Sequence, residues 1–408
     1  MLRNFIERCQ KDISIFYCVL CVYVVKKLHF TMKIVIDDKI PYIRGVFKPV
    51  AEVVYLPGSR TTPETVRDAD ALITRTRTLC NEALLSGSAV KFIATATIGF
   101  DHIDTAYCEA AGISWTNAPG CNAGSVEQYI AAALFTWAAK RNRSLRDTTI
   151  GIVGVGNVGK RVEKICRLLG MQVLLNDPPR EREEGPGNFV TLETISQNAD
   201  VITFHVPLNT EGRDATWHMV DDKFLEKLVR KPLLINSCRG EVFDTNAVIH
   251  AIEIDDISDI ILDCWENEPE IHPVLMDKAL LATPHIAGYS RDGKANGTLM
   301  SVRAVSRYFG LGLDHWEPAG VELPPEPVIS LEGSDPSGKM RAEESLLGDA
   351  VLATYDITAD DDNLRRNPTL FEKMRGDYPV RREFPAYTLR VTNVPEETIC
   401  KLREMGFR

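Results

Sequence analysis

The sequence lacks a surplus of positive charge. Its 47 lysines and arginines are outnumbered by 57 aspartates and glutamates, for a formal net charge of -10, whereas a polyanion binder needs basic residues in excess along at least one face. Nucleic acid is therefore not an expected partner. Apolar runs are short as well. Ile13 to Val25 is apolar but ends at Lys26 and Lys27, which is less than the roughly 20 residues needed to cross a bilayer, and no small-residue cleavage pattern follows it. No membrane association is expected. The ten cysteines are scattered rather than framed. Cys166, Cys238 and Cys264 sit in apolar runs that read as buried, which fits reduced thiols in a cytoplasm. Cys18 and Cys21 form a CxxC, but no second ligand pair or thioredoxin-like context accompanies it, so no metal site is expected. Internal repeats and low-complexity tracts are missing too.

What remains is an ordinary globular composition, 44% hydrophobic over 408 residues, enough for two or three domains with their own cores. Residues 1–31 read as an N-terminal extension outside the fold, because Met32-Lys33-Ile34-Val35-Ile36-Asp37 looks like a natural start that opens a core strand. From Lys33 to Trp115 short apolar runs (33–36, 52–56, 71–74, 91–95 and 113–115) alternate with helix-like polar stretches, the pattern of a small α/β domain. Ser125 with Gln128 has the spacing of a capping box, placing a long apolar helix over Val126 to Ala139. A second α/β run has strands at 149–153, 173–176, 201–205, 233–236 and 260–263, whose near-continuous hydrophobicity suggests a parallel sheet covered on both faces. A helix is expected from Gly293 to Phe309. The proline, glycine and acidic residues between Pro318 and Ser337 mark a connector, and the tail, strand-like at Tyr387 to Val391 and helical from Glu396, reads as a small third module.

Gly154-Val155-Gly156-Asn157-Val158-Gly159 is a GxGxxG that directly follows an expected strand and opens a helix ending at Gly170. The first glycine permits a tight turn, the second lets backbone amides approach a pyrophosphate, and the third lets helix and strand pack closely. The helix N-terminus adds partial positive charge. The following strand runs into Asp177, at about the interval where an acid grips the adenosine ribose diol and repels the extra phosphate of NADP. NAD is the expected cofactor. Arg180 lies close enough to favour that phosphate, although Pro178 and Pro179 intervene.

Oxidation of a 2-hydroxy acid needs a carboxylate anchor, a base for the hydroxyl proton, and a group that sustains the base. Arg239, in Asn236-Ser237-Cys238-Arg239-Gly240, follows a core strand and has the fork to hold a carboxylate. His285, in Thr283-Pro284-His285-Ile286-Ala287-Gly288-Tyr289, has the chemistry of a proton acceptor near neutrality. Glu268, in Asp263-Cys264-Trp265-Glu266-Asn267-Glu268-Pro269, would pair with it, with Glu266 as a competing carboxylate.

The order GxGxxG, Ser-Cys-Arg-Gly, Asp-x-Trp-Glu-x-Glu-Pro and Pro-His-Ile-Ala-Gly resembles the D-isomer-specific 2-hydroxyacid dehydrogenases. The segments 94–104, 118–123, 176–180 and 285–289 resemble a branch of that family that acts on 4-phospho-D-erythronate, and the likeness runs from about Met32 to the C-terminus. The resemblance implies an α/β protein with a flavodoxin-like substrate domain (32–120 and 285–315), a Rossmann-type NAD-binding domain (121–284) and a small C-terminal α+β dimerisation module (316–408), hence a homodimer. It implies Arg239, Glu268 and His285 as the catalytic set, and Asp177, Ser237, Cys238, Arg239, Asp263 and Gly288 along the NAD site with the glycine loop, Val206 and Pro207. Thr76, Thr97 and Tyr289 would meet a small phosphorylated 2-hydroxy acid. Val206 replaces a threonine frequent in relatives, removing one hydrogen bond to the cofactor, and Thr76 replaces a serine. For the substrate phosphate, Arg44, Arg75 and Arg77 are candidates. Two other readings compete: a dehydrogenase for another acid such as 3-phosphoglycerate, and a non-catalytic NAD sensor.

Overall fold

The computed structural model describes residues 32–408; the expectations for the N-terminal extension and for Cys18 and Cys21 lie outside the described residues. By packing, the chain divides into two compact units, residues through Asn117 with Ser301–Trp316, and Ala118–Met300 with Glu317–Arg408.

The first unit is built on strands β1 (Lys33–Asp37), β2 (Glu52–Leu56), β3 (Ala71–Thr74), β4 (Phe92–Thr95) and β5 (Ser114–Thr116). They pair in parallel in the order β2-β1-β3-β4-β5, the flavodoxin-like arrangement. Because successive side chains point to opposite faces, Ile34, Ile36, Ile73 and Ala94 fill a core on one face while Val35, Leu72 and Ile93 fill another on the opposite face. Val302 and Val305, from the end of the helix Arg291–Phe309, close the first of these cores.

The second unit carries six parallel strands, β6 (Thr149–Val153), β7 (Gln172–Asn176), β8 (Val201–Phe204), β9 (Leu233–Asn236), β10 (Asp259–Leu262) and β11 (Leu281–Ala282), in the order β11-β10-β9-β8-β6-β7. Ile150, Ile152, Val201, Leu233, Ile235 and Ile261 face one core, and Val153, Ile202, Phe204, Leu234, Ile260 and Leu262 the other. The sheet reverses direction of growth at β6, flanked by β7 and β8. In such doubly wound sheets ligands bind outside the carboxyl ends of the strands at that switch point. The C-terminal segment adds the parallel pair β12 (Val328–Glu332) and β13 (Thr388–Thr392). Its helix Glu343–Thr354 buries Leu347, Ala350 and Val351 in the core that holds Ala131, Leu134 and Phe135 of the helix Ala123–Arg141. Among the described residues no helix is long and apolar enough to cross a membrane.

Four local readings are corrected. Ser125 is not a cap: the long helix starts at Ala123 after Asn122, and the Ser125 hydroxyl lies within hydrogen-bonding distance of Ser290 Oγ and Glu383 Oε1, at 2.6 and 2.9 Å. Gln128 likewise bonds Thr354 and Arg382 instead of the helix start. The stretch Pro318 to Ser337 is not only a connector, since it contains β12, whose Ile329 and Leu331 are buried. A five-residue strand with only two inward positions is too short to stand out against proline and acid. Cys238 is only half-buried, unlike Cys166 and Cys264.

Candidate active site

The glycine loop follows β6. Gly154 has φ +88°, and a Cβ there would meet the His205 carbonyl oxygen at 2.6 Å and Val206 Cγ1 at 2.9 Å, so only glycine fits both the turn and the approach of the neighbouring strand end. A Cβ on Gly159 would meet the Gly154 carbonyl oxygen at 2.1 Å, while around Gly156 nothing lies within 4 Å. The loop is therefore tight where helix meets strand and open where a pyrophosphate would approach. The helix Asn157–Leu168 starts there, with Val158 packed against the core. Asp177, at the end of β7, accepts hydrogen bonds from Val155 N at 2.8 Å and Arg180 N at 3.0 Å, which fixes its carboxylate beside the loop. Arg180 is committed elsewhere. It donates to the Val155 carbonyl at 2.7 Å and to both Glu184 oxygens at 2.7 and 2.8 Å, and stacks 5.1 Å over Phe189. These features fit a dinucleotide with an unphosphorylated adenosine ribose. Pro207 lies in the loop after β8, where its carbonyl accepts from the Thr216 hydroxyl at 2.5 Å. After β9, the Ser237 hydroxyl is buried without a hydrogen-bond partner, a state that a bound ligand would resolve. Next to it the Cys238 thiol is pushed up to about 11 by burial, which leaves it protonated near neutrality.

The strand ends of β9, β10 and β11 lie side by side, and each launches a loop with a candidate catalytic residue. Arg239 follows β9 and donates from Nη1 to the Cys238 carbonyl at 2.8 Å. A Cβ on Gly240 would fall 1.9 Å from the Trp265 carbonyl carbon, so this glycine lets the arginine loop pack directly on the loop after β10. Trp265 in turn donates from Nε1 to the Thr283 carbonyl at 2.8 Å, tying that loop to the one after β11. Asp263, 1% exposed, accepts from the Thr283 hydroxyl and from the amides of Ile286 and Ala287 at 2.7, 2.7 and 2.8 Å. Burial raises its carboxyl, and His285 and these donors offset only part of that. Its role in this geometry is to anchor the His285 loop from beneath.

His285, at φ +54°, points Nδ1 at Glu268 Oε1 at 2.5 Å. The two side chains are 26% and 24% exposed. Burial pushes the Glu268 carboxyl upward, but the His285 hydrogen bond and charge, the Arg375 guanidinium and the Trp265 amide outweigh it, and it ends below the usual carboxylate range. Glu266 is engaged by His218, whose Nε2 lies 2.7 Å from Oε1, and by the Thr245 amide. A Cβ on Gly288 would meet Asn122 Nδ2 at 2.1 Å, and Asn122 Oδ1 is buried without a partner. Tyr289 is half-buried beyond it.

Thr76, Thr97, Arg44, Arg75 and Arg77 belong to the other unit. There Thr97 Oγ1 lies 2.7 Å from Thr95 Oγ1 and donates to the Gly99 carbonyl at 2.9 Å, past the end of β4. Thr76 is exposed past the end of β3. Arg75 donates to the Lys39 carbonyl at 3.4 Å, and Arg44 stacks 5.1 Å from the Tyr55 ring. Sequence reasoning missed Asn122, His218 and Arg375. Asn122 stands in the resembling segment 118–123 and was within reach; the other two follow no recognisable pattern.

Residues 124–287 match the D-isomer specific 2-hydroxyacid dehydrogenase NAD binding domain, and residues 327–406 match a domain of unknown function. Erythronate-4-phosphate dehydrogenase of Bacteroides thetaiotaomicron is 52% identical over 360 residues, covering 88% of this chain and 99% of the relative. The enzyme of the same name from Porphyromonas gingivalis is 42% identical, covering 92% and 100%. Among solved structures, the NAD+-bound 3-phosphoglycerate dehydrogenase of Entamoeba histolytica is similar with a TM-score of 0.58 and 26% identity, over 71% of this chain and 99% of that one. With this identity sustained along nearly the whole of its relatives, the chain belongs to the erythronate-4-phosphate dehydrogenase family.

Proposed function

We propose that the protein oxidises the 2-hydroxyl of 4-phospho-D-erythronate to (R)-3-hydroxy-2-oxo-4-phosphooxybutanoate with NAD, a step toward pyridoxal 5′-phosphate. The observation that carries this reading is the 2.5 Å contact of His285 Nδ1 with Glu268, on a loop locked against the one bearing Arg239, in a chain half identical to a relative of that name.

In this reading the Arg239 fork takes the substrate carboxylate and orients the carbon that reacts. His285 Nε2 accepts the hydroxyl proton. Glu268 holds the ring through Nδ1 and stabilises the imidazolium that forms. Bound NAD supplies the hydride acceptor. The amides around Gly154, Gly156, Asn157, Val158 and Gly159 would hold its pyrophosphate, Asp177 its ribose diol, and Val206, Pro207, Ser237, Cys238, Asp263 and Gly288 would line the rest. Thr76, Thr97 and Tyr289 would contact the substrate.

The decisive assay follows NAD reduction by the full chain with 4-phospho-D-erythronate and with 3-phosphoglycerate. The expected result is a kcat/KM for the first at least about tenfold above the second, a discrimination that one well-placed polar group can supply. A preference for 3-phosphoglycerate, or no turnover of either, overturns the assignment. We further take the protein to work in the cytoplasm as a homodimer joined through its C-terminal module. In support, residues 327–406 match a domain separate from the NAD-binding one, and the phosphoglycerate enzyme is covered over 99% while spanning only 71% of this chain. Light scattering that returns the 45.5 kDa chain mass instead of twice that value would contradict the dimer.

A further inference from the structure

Four residues beyond His285, the Tyr289 ring sits among cations. Lys294 Nζ lies 4.8 Å and Arg375 Cζ 5.7 Å from its centroid, while Tyr378 packs edge-on at 5.9 Å. Arg375 comes from the C-terminal segment, on the short helix Phe371–Gly376. Phe371 is 1% exposed in the core that also holds Trp265, Leu275 and Met276, and Met374 packs against the same core. The segment is pinned further by Arg365, which donates to the carbonyls of Met276 and Ala279 at 2.7 Å each, and by Asp361, which accepts from Ala282 N at 2.6 Å. Arg375 is thus held in place by the fold.

Its hydrogen bonding differs from that of a structural arginine. Arg381, six positions later, commits its donors to Gln128 Oε1 and to the carbonyls of Ile286, Ser125 and Ala287. Arg375 donates from Nη1 to Glu372 at 3.0 Å, and its Nε is buried with no hydrogen-bond partner. The side chain is 22% exposed, so it is neither sealed in the core nor loose in solvent. Its charge reaches the catalytic pair, because it is one of the groups that hold the Glu268 carboxyl down. A guanidinium with unmet donor capacity beside a second cation and a tyrosine is suited to an oxyanion of high charge, since its fork matches phosphate oxygens and lysine adds a point charge.

We propose that Arg375, with Lys294 and the Tyr289 hydroxyl, forms the subsite for the substrate's phosphate, so that the C-terminal module of unknown function supplies part of the active site. The proposal rests on the reading of a phosphorylated 2-hydroxy acid, in which Arg239 takes the carboxylate and a second anion needs its own cations.

The test uses the full chain and two readouts, turnover with NAD and binding in the NADH complex. The first is kinetics of R375Q with 4-phospho-D-erythronate and with unphosphorylated D-erythronate. KM for the phosphorylated acid rises about 10- to 100-fold, as expected for a lost charge-assisted bond, while kcat/KM for the unphosphorylated acid falls by a factor at least about tenfold smaller, since only the influence of Arg375 on Glu268 is common to both acids. R375K recovers part of the loss and K294M raises KM by a smaller factor, both with unchanged NADH affinity, which also serves as the check on folding. The second readout is binding of inorganic phosphate to the protein–NADH complex, present in the parent and lost in R375Q. Equal losses on both acids, or phosphate bound equally by parent and R375Q, overturn the proposal. Should the parent fail to turn over 4-phospho-D-erythronate, the substrate reading falls, and the phosphate titration alone still decides the subsite.

Discussion

The second unit holds two histidine–carboxylate pairs that look alike on paper. His285 meets Glu268 at 2.5 Å and His218 meets Glu266 at 2.7 Å; the side chains are 26% and 24% exposed in the first pair, 20% and 19% in the second. The two carboxylates are neighbours on one loop. They differ in what the other ring nitrogen does. His218 is bracketed, with Nδ1 3.4 Å from Asp244 and its ring stacked 3.7 Å from that of Trp217. His285 is held through Nδ1, and among the described residues its Nε2 has no hydrogen-bond partner. A general base needs a nitrogen left for the substrate, and a ring clasped by two carboxylates is a brace. Contact distance does not separate the two pairs; the unengaged Nε2 does, and it supports the proposed assignment of His285 as the base.

Substitution separates the two pairs most sharply. H285A is expected to lower kcat by about 10²- to 10⁴-fold, the usual worth of a positioned base, with NAD affinity unchanged by fluorescence titration. E268Q should follow with about a 10²-fold loss, because the amide neither orients the ring as the carboxylate does nor stabilises its charged form. D177A acts on a different readout: KM for NAD rises about tenfold and the preference over NADP narrows, and an unchanged ratio of the two would show that Asp177 does not read the ribose. H218Q should cost less than about tenfold in kcat/KM, because it removes a brace two residues from Glu268.

The smallest effect is on stability, and it is common to both pairs. Burial pushes Glu266 and Glu268 up, but their histidine partners and the Thr245 or Trp265 amide outweigh it, so both carboxyls are lowered in the folded state. A lowered carboxyl contributes stability that is present above the unfolded value, near pH 4.5, and is lost as pH falls through the lowered one. Urea midpoints measured from neutrality down into acid should therefore fall less steeply for E266Q and E268Q than for the parent. Parallel curves would mean that neither pair is coupled to folding.

Legibility in the sequence followed the length scale of the interaction. The glycine loop was readable because Gly154, Gly156 and Gly159 act within six residues, each for a steric reason that the structure shows as a colliding or open Cβ. Arg239, Glu268 and His285 were readable as an order of short motifs, but the lock between their loops, Gly240 against Trp265 and Trp265 onto Thr283, depends on β9, β10 and β11 being neighbours. The choice between Glu266 and Glu268 could not be made from spacing, since two acids one residue apart differ only in which histidine faces them. β11 has two residues and carries no periodicity of its own. Ser125 and Gln128 have the spacing of a cap and serve as tertiary hydrogen-bonding groups. Arg375 comes from a segment 90 residues after His285, and nothing local marks it.

The most direct test sets H285Q and H218Q side by side and measures NADH formation from 4-phospho-D-erythronate in a single turnover. The H285Q trace is expected to collapse by orders of magnitude and the H218Q trace to remain close to the parent. Equal losses in the two, or collapse in H218Q alone, would contradict the assignment of His285 as the proton acceptor.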